Sequence, residues 1–451
     1  MSRAGERRSL GVPVEPRGTV EDLRALFLDR RPLLDVRAPV EFHKGAFPKA
    51  INLPLLYDEE RHAVGIRYKQ RGQDAAIALG ADLLDDAERA HRVARWVGFA
   101  NDHPDGVLYC FRGGLRSRIA QAWIADAGVE LPLVTGGYKA MRSWLIDTLS
   151  DLAARLPLRI VGGRTGVGKT DLIKRLDRAI DLEGFANHRG SSFGGVVDAQ
   201  PGNIDFENRV AIELLRFDAD DVTRPGASAA PIWLEDEARL IGRVAMPESL
   251  VQAMRRAPIE LLDVSLEVRV QNCLADYVVD LLERYRLQAA GEIGIEDEAP
   301  VGTGVDAGVE ADASACGETD VNPGSGASVD ASVDVSSDFS VDASARADVD
   351  ERAFERFAAH HRDSLGRIRK RLGGDVFVHA RDLLEEALTR HRTAADTAGY
   401  EPFIELLLTR YYDPMYDYQL ESKRERIEFS GDADAILARQ VARGQTPQPR
   451  R

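Results

Sequence analysis

Residues 158–170, which read LRIVGGRTGVGKT, decide the fold of the second half of the chain. The apolar run at their start is typical of a buried strand, and Gly163 to Thr170 match the pattern G-x-x-x-x-G-K-[ST]. A helix-like segment, DLIKRLDRAI, follows directly. This order predicts a loop whose backbone N–H groups cradle phosphate oxygens, with Lys169 bridging the outer phosphates. The residues expected to bind phosphate or diphosphate are Gly163, Gly166, Gly168, Lys169, Thr170, Glu235 and Asp236.

The two acidic residues in that group follow a second predicted strand, in PIWLEDEARLIG. An acidic side chain at the end of such a strand holds Mg²⁺ or a water, and Thr170 would reach the same ion. We expect this role first for Glu235 and then for Asp236, although some of these acids could simply cap the next helix. Asp181 and Glu183 either join them at this edge or act as helix caps.

A second stretch, YCFRGGLRSR at residues 109–118, places one of three cysteines before two glycines and three arginines. The strand GVLYC would deliver Cys110 to the sheet edge, with a helix starting near Ser117. Glycines that accept positive φ angles let the loop turn its N–H groups inward. Such a loop favours a thiolate nucleophile and holds an oxyanion or a perselenide, whereas the alternative is a buried structural cysteine. The candidate catalytic residues are Cys110, Arg112, Gly113, Gly114 and Arg116.

Upstream residues bear on the chemistry of this loop, which fits either sulfur or selenium transfer or the cleavage of phosphate esters. The stretch LLDVRAPVEFHKGAFPKAINLPL (33–55) resembles the rhodanese pattern, and LVTGGYKAMRSWL (133–145) resembles the last strand and helix of that fold. We expect Asp35 and Arg37 to pair and brace a turn. Five residues separate Cys110 from Arg116. That is one more than in many rhodaneses and resembles dual-specificity phosphatases, so a phosphatase stays open.

Charge and cysteine content restrict the remaining possibilities. Of 74 acidic and 59 basic residues, 15 acidic residues and one Arg lie in 291–350, so the rest of the chain carries a net charge of only −1. Three widely spaced cysteines argue against a disulfide framework and for the cytoplasm. The chain has no apolar run of about 18 residues, so we expect no membrane partner.

Composition and periodicity predict an α/β protein with two parallel-sheet domains. The Ser-, Ala-, Gly- and Asp-rich segment 291–350 is predicted to be a disordered acidic insertion. The stretch Ser150–Leu156, between the two blocks, is a candidate hinge. The predicted segments are a flexible leader (1–18), a rhodanese domain (19–148), a phosphate-loop domain (156–290), the insertion (291–350), a helical segment that completes the phosphate-loop domain (351–430) and a flexible tail (431–451).

The combination of a one-cysteine rhodanese domain with a phosphate-loop (P-loop NTPase-like) domain resembles the bacterial tRNA 2-selenouridine synthase family. DLEGFANHRGSSFG (181–194), WLEDEARLIG (233–242) and YYDPMYDYQL (411–420) resemble further blocks of that family. The resemblance implies a transferase that acts on tRNA carrying 2-thiouridine at the wobble position. The sulfur would be geranylated from geranyl diphosphate and then replaced by selenium from selenophosphate, which a selenophosphate-producing enzyme supplies. Gly163 to Thr170 would then hold diphosphate, and Cys110 would carry selenium.

Transfer RNA requires basic surface and stacking platforms. RIRKRLGG (367–374) puts four basic residues on about one helical turn, and YYDPMYDYQL contains four tyrosines. A solvated helix face and aromatic core packing are the alternatives. The residues predicted to bind tRNA are Arg367, Arg369, Lys370, Arg371, Tyr416 and Tyr418.

Two other functions remain open from the residues alone. One is a rhodanese-type phosphatase or sulfurtransferase fused to an ATP-using kinase. The other is a non-catalytic scaffold switched by a nucleotide.

Overall fold

Short apolar runs in the first block form a five-stranded parallel sheet with the order β1-β5-β4-β2-β3. The structure is a computed structural model that describes residues 15–223, 230–293 and 343–442. The strands of this sheet are β1 (Thr19–Val20), β2 (Leu33–Asp35), β3 (Ala50–Asn52), β4 (Val107–Tyr109) and β5 (Leu133–Val134). The helices around it are α1 (Leu23–Leu28), α2 (Pro39–Phe42), α3 (Asp58–Leu83), α4 (Asp86–Asp102), α5 (Leu115–Asp126) and α6 (Gly137–Arg155). The predicted parallel sheet flanked by helices is confirmed.

The second block contains another five-stranded parallel sheet, with the order β12-β11-β6-β8-β7, and a small antiparallel hairpin. The strands are β6 (Leu158–Gly162), β7 (Ala179–Ile180), β8 (Ile232–Glu235), the hairpin strands β9 (Leu240–Ile241) and β10 (Val244–Ala245), β11 (Ile259–Leu262) and β12 (Ile427–Gly431). Helices that flank this sheet are α7 (Lys169–Arg175), α8 (Leu182–Phe185), α9 (Asn203–Thr223), α10 (Glu248–Met254) and α11 (Leu266–Leu274). The phosphate loop joins the central strand β6 to α7, as the sequence predicts.

A helical layer completes the second block and has its own apolar core, which includes Phe357, Leu384 and Tyr400. A π-helical turn, Ala275–Asp280, leads from α11 into this layer, and a second one, Leu408–Tyr412, lies within it. The helices of this layer are α12 (Leu281–Ile293), α13 (Ala343–Leu372), α14 (Gly374–Ala394), α15 (Glu401–Leu407) and α16 (Asp413–Ser422). The last helix, α17 (Ala433–Ala442), follows β12 and packs against the sheet instead.

Three predicted segment boundaries need correction. Helices α12 and α13 extend into both ends of the predicted insertion, up to Ile293 and from Ala343, while 294–342 lies outside the described residues. The first part of the predicted tail is ordered because Ile436 and Leu437 of α17 are buried against the sheet core. Residues 443–451 and most of the leader, 1–14, lie outside the described ranges.

The two sheets share one hydrophobic core, so the predicted hinge near Ser150–Leu156 is wrong. Helix α6 runs unbroken through this region, and its Leu149 and Leu152 are buried in the same cluster as Phe206 of α9 and Ile160 of β6. The bonds of Asn208 Nδ2 to Ala46 O (2.7 Å) and of Ala46 N to Asp205 Oδ1 (2.7 Å) tie the domains together at the edge of this core.

Candidate active sites: a cysteine loop and a phosphate-binding loop

The cysteine of the first loop sits directly after the central strand β4, and it is only 3% exposed. Its Sγ lies 3.2 Å from Ser117 Oγ, which also donates to Gly114 O at 2.9 Å. Helix α5 begins at Leu115, two residues earlier than expected, so its N-terminus closes the loop. The partial positive charge of a helix N-terminus favours an anion at this place. Ser117 was not predicted as part of the site.

Glycine is required where the cysteine loop meets the turn before α6. Gly113 (φ +63°) and Gly137 (φ +57°) both adopt left-handed backbone conformations. A Cβ at Gly113 would lie 2.8 Å from Gly136 N, and one at Gly137 would lie 2.5 Å from Gly113 N and strike Cys110 O. The prediction of positive φ is confirmed for Gly113 and wrong for Gly114, which has φ −97° and caps α5.

The three arginines of the loop have different environments. Arg116 is half-buried, and its guanidinium contacts Glu41 through two bonds of 2.5 and 3.1 Å. Arg112 is exposed and lies against the Phe111 ring. Arg118 is half-buried on α5. Arg116 therefore supplies a positive charge that the loop holds in a fixed position.

Glu41 fixes this charge and was not singled out for that role from the sequence. Burial tends to raise the pKa of Glu41, but its hydrogen bonds and ion pairs with Arg116 and Arg61 hold the pKa below its usual value. In the other direction, burial tends to lower the pKa of Arg116, and Glu41 raises it. The pair stays ionised at neutral pH and keeps Arg116 beside the loop.

The expected brace between Asp35 and Arg37 is present. Arg37 Nη2 donates to Asp35 Oδ2 at 2.6 Å and to Gly45 O at 2.9 Å, and both charged side chains are buried. The guanidinium also stacks 3.8 Å from the ring centroid of Tyr138. This pair shapes the turn beneath the cysteine loop.

The phosphate loop has the backbone that its glycines predict. Gly163, Gly166 and Gly168 have φ values of +150°, +81° and +86°. Lys169 Nζ donates to Gly163 O at 3.1 Å, across the mouth of the loop. A bound anion would replace this carbonyl oxygen as the acceptor. Burial tends to lower the pKa of Lys169, yet Tyr416 and nearby carboxylates raise it, so the lysine stays charged.

Neighbouring helices support the loop from outside. Arg269 on α11 donates through Nε to Thr165 O at 2.9 Å and through Nη2 to Asp413 Oδ1 at 2.6 Å. Asn272 Nδ2 donates to Gly166 O at 2.8 Å. Both side chains hold loop carbonyls on the outer side, which leaves the N–H groups of the loop available to a ligand.

The acidic residues predicted for the strand edge each contact a different partner. Glu235 is fully buried and accepts hydrogen bonds from the backbone N–H of Leu182 (2.7 Å) and Glu183 (3.3 Å). Asp236 pairs with Lys423 Nζ at 2.6 Å, and Asp181 caps α8 through Gly184 N. Of the two open readings for Asp181, the structure therefore favours the cap.

The predicted magnesium role is not supported by this arrangement. Thr170 Oγ1 donates to Glu183 Oε2 at 3.0 Å, and one oxygen of Glu235 is already occupied by α8. Within the ranges that the structure covers, no group of three or more His, Cys, Asp or Glu side chains is placed to hold a metal ion. The residues present do not fit an ion held by Thr170 and Glu235.

Two further carboxylates lie beside Lys169. Glu183 and Glu237 are half-buried, and a Cβ added to Gly190 would strike Glu183 Oε1 and lie 2.8 Å from Glu237 Oε1. Burial raises the pKa of Glu237 well above its usual value, and the neighbouring Glu183 raises it further. Glu237 was not predicted as a site residue, although it closes the acidic run that drew attention to Glu235 and Asp236.

The predicted tRNA-binding residues lie on the helical layer close to this edge. Arg367, Arg369, Lys370 and Arg371 are exposed near the end of α13. Arg367 Nη2 donates to Ser192 O at 3.3 Å, and Ser192 follows the segment that covers the two carboxylates. The basic turn therefore adjoins the phosphate-loop site.

The tyrosines of YYDPMYDYQL are divided between core and surface. Tyr411 and Tyr412 are buried in the helical core, so aromatic packing accounts for them. The Tyr416 ring lies 5.7 Å from Lys169 Nζ, and Tyr418 is 81% exposed. Of these four tyrosines, Tyr416 and Tyr418 are the two placed where they could contact a ligand.

No helix in the described part of the chain is both long enough and apolar enough to span a membrane.

Fold and sites together define a transferase-type enzyme in which a one-cysteine rhodanese domain is fused to a phosphate-loop domain. Residues 19–143 match the rhodanese-like domain family, and residues 156–299 and 334–446 match the family of the tRNA 2-selenouridine synthase AAA domain.

Whole-chain relatives agree with these domain matches. The tRNA 2-selenouridine synthase of Hahella chejuensis is 44% identical over 92% of this chain and 92% of its own length. Those of Bordetella bronchiseptica (42%, covering 93% and 97%) and Azotobacter vinelandii (43%, covering 94% and 96%) are similarly close. The chain belongs to the tRNA 2-selenouridine synthase family.

Proposed function

We propose that this chain replaces the sulfur of wobble-position 2-thiouridine in tRNA with selenium, through a geranylated intermediate. Geranyl diphosphate and selenophosphate are the co-substrates, and a selenophosphate-producing enzyme in the cytoplasm supplies the second one. The observation that carries the proposal is the presence of two separate anion-handling loops, around Cys110 and Lys169, on one shared core.

The phosphate loop serves the first step. The N–H groups of the loop and the charged Lys169 bind the diphosphate of the donor and stabilise it as it leaves. The Lys169–Gly163 contact of 3.1 Å shows that the ammonium already reaches across the loop mouth. Diphosphate departure needs no ATP, so the same loop that is typical of kinases serves an alkyl transfer here.

The cysteine loop serves the second step. At C2 of the base, the selenium of selenophosphate forms a C–Se bond and the C–S bond breaks, so that geranylthiol leaves. Water then cleaves the P–Se bond, phosphate is released and N3 regains its proton. Cys110 lies beside the donor selenium at the end of β4, and the positive charge of Arg116 together with the N-terminus of α5 favours the anionic donor. Burial of Cys110 keeps the reactive group away from bulk water.

The basic turn at Arg367 to Arg371 and the exposed Tyr418 are proposed to bind the tRNA. Their position beside the phosphate loop supports this role, because phosphate contacts orient the RNA while an unstacked base is held by aromatic rings. Neutralising two of the four charges should weaken binding and reduce its dependence on salt.

Nucleoside mass spectrometry tests the proposal. The wild-type chain, Cys110→Ser and Lys169→Ala are each given 2-thiouridine tRNA, geranyl diphosphate and selenophosphate. We expect selenouridine from the wild type, accumulation of geranylated thiouridine in Cys110→Ser, and unmodified 2-thiouridine in Lys169→Ala. An unchanged base with folded wild-type protein would contradict the proposed function.

A further inference from the structure

The alkylation step proposed above requires that a proton be removed from the substrate base. In 2-thiouridine, N3 carries a hydrogen. Once the sulfur forms a bond to carbon, the neutral ring has a C2=N3 double bond, and N3 has lost that hydrogen. An enzyme that binds the diphosphate donor therefore gains rate from a proton acceptor placed beside the leaving group.

Two carboxylates occupy that place. Glu183 lies on α8 and Glu237 just after β8, and both converge on Gly190. Glu183 accepts from Thr170, the residue after Lys169, so the pair is tied directly to the phosphate loop. Gly190 is exposed and both carboxylates are half-buried, which leaves the pair within reach of a base from outside.

A further observation separates this pair from an ordinary solvated acidic cluster. Beside it, Glu235 is fully buried, and among the described residues its Oε1 has no hydrogen-bond partner. Burial raises the pKa of Glu235 well above its usual value, and Asp181 and Glu183 raise it further. Because neighbouring carboxyl groups in such a buried place do not all ionise easily, the surroundings raise the proton affinity of the pair, which suits a proton acceptor.

Charged groups from several described elements surround the pair. Lys169 comes from α7, Glu235 ends β8, Asp236 follows it, and Asp181 precedes α8. Lys423, after α16, neutralises Asp236. On the Gly190 side, His188 Nδ1 accepts from Gly190 N at 3.1 Å, and burial and the charge of Arg367 lower the pKa of His188, which favours its neutral form. Glu183 and Glu237 are the groups beside Lys169, so these carboxylates are the bases nearest the phosphate loop.

We propose that the Glu183–Glu237 pair is the general base of the alkylation step and accepts the N3 proton of 2-thiouridine. This inference rests on the proposed function. In the step, the sulfur attacks C1 of the geranyl group and forms a C–S bond, and the C–O bond breaks. Diphosphate leaves with the electron pair of that bond, and the N3 proton moves to the ionised member of the pair. No oxidant or reductant is needed.

Single-turnover alkylation with saturating geranyl diphosphate tests the role. Glu237→Gln keeps the shape of the side chain but cannot accept the proton, so we expect a loss of about 100-fold or more at pH 7. At alkaline pH the N3 proton is lost to solvent without help, and the variant should approach the wild-type rate. Glu183→Gln should behave in the same way.

Binding of inorganic diphosphate, measured by calorimetry, separates catalysis from binding. Glu237→Gln should bind it at least as tightly as the wild type because a nearby negative charge is removed. Glu248→Gln, at an exposed position of α10, is the matched control and should keep the wild-type rate at every pH.

Several outcomes would overturn the inference. A wild-type rate in both Gln variants would do so while leaving the proposed function intact, provided that Lys169→Ala is inactive. Loss of activity without recovery at alkaline pH, together with loss of diphosphate binding, would assign the pair to the structure of the loop instead. A wild-type chain that alkylates no base would overturn the proposed function and this inference together.

Discussion

At the scale of single residues, the cysteine site depends on close backbone contact and on one oriented charge. Gly137 lets the turn before α6 touch the cysteine loop, and Tyr138 N donates to Cys110 O at 2.9 Å. Glu41 keeps Arg116 beside the loop. Neither residue touches the reacting atoms, yet both set the position of groups that would.

Replacing Gly137 by Ala should abolish selenium transfer but spare geranylation. The added methyl group would strike Cys110 O and come within 2.5 Å of Gly113 N, so the loop must shift. Gly128→Ala is the control, because Gly128 has a similar left-handed φ (+88°) but open space around it. Both variants carry a backbone strain of about 1 kcal/mol, and equal activity of the two would contradict the argument. The two products are measured separately by mass spectrometry.

Glu41→Gln should destabilise the fold in a pH-dependent way. The folded pKa of Glu41 is below its usual value, so its ion pairs stabilise the protein above that usual value, about 4.3, and this stabilisation is lost as the pH falls through the folded pKa. We expect the variant to lose about 1–3 kcal/mol of unfolding free energy at pH 7. Urea unfolding from pH 7 to pH 3 measures the difference, which should shrink in acid; a constant difference would argue against the ion pair.

At the scale of elements, the phosphate loop needs more than its own sequence. Helix α11 holds the loop carbonyls through Arg269 and Asn272, and α16 anchors Arg269 through Asp413. A loop of this length with three glycines is flexible in isolation, so these contacts fix the direction of its N–H groups.

Arg269→Met tests this support. The variant removes the ion pair with half-buried Asp413 and the hydrogen bond to Thr165 O, which should cost about 1–3 kcal/mol of stability and weaken the binding of inorganic diphosphate. Arg286→Met on α12 is the control, because its ion pair with Asp350 is largely exposed to solvent, and it should change little. Calorimetry and thermal unfolding provide both measurements. Unchanged diphosphate affinity in Arg269→Met would show that the loop keeps its shape without α11.

The sequence predicted those parts of the fold and sites that depend on neighbours along the chain. The phosphate loop, from Gly163 to Thr170, follows from a strand, a glycine pattern and a helix in succession. The partner of Arg116 lies 75 residues away and the partner of Thr170 lies on a separate helix, so only the assembled fold brings them together. Helix α3 was missed because Gly72, with φ +80°, interrupts a segment that lacks a clear apolar face.

The predicted flexible tail is a second case in which contacts distant in sequence decided the structure. Residues 433–442 read ADAILARQVA, a short apolar stretch inside the segment that we predicted to be a flexible tail. Burial of Ile436 and Leu437 under the sheet, beside Trp233, decided otherwise. The apolar face of this short helix gains its partner only when the distant strands of the sheet have assembled, so the segment could not be placed from its own sequence.

At the scale of the whole molecule, we expect the two domains to unfold in one cooperative transition, because both sheets pack into the same hydrophobic core. Leu145 and Ile146 are neighbours on α6, with exposures of 0% and 45%. Leu145→Ala should cost about 2–5 kcal/mol, whereas Ile146→Ala should stay within about 0.5 kcal/mol. Urea unfolding followed by circular dichroism and tryptophan fluorescence should give a single coincident transition. Two separated transitions would mean that the domains are independently stable.

The unbroken α6 also has a kinetic meaning for the proposed two-step reaction. Because the helix and its core fix Cys110 and Lys169 on one body, the tRNA must reposition its own base between the two steps. The geranylated tRNA can then either reposition its base at the cysteine loop or dissociate. The ratio of these two rates sets the fraction of the intermediate that is converted to selenouridine, which is its commitment to product. A pulse of labelled tRNA chased with excess unlabelled tRNA would report that commitment as the labelled fraction that still acquires selenium.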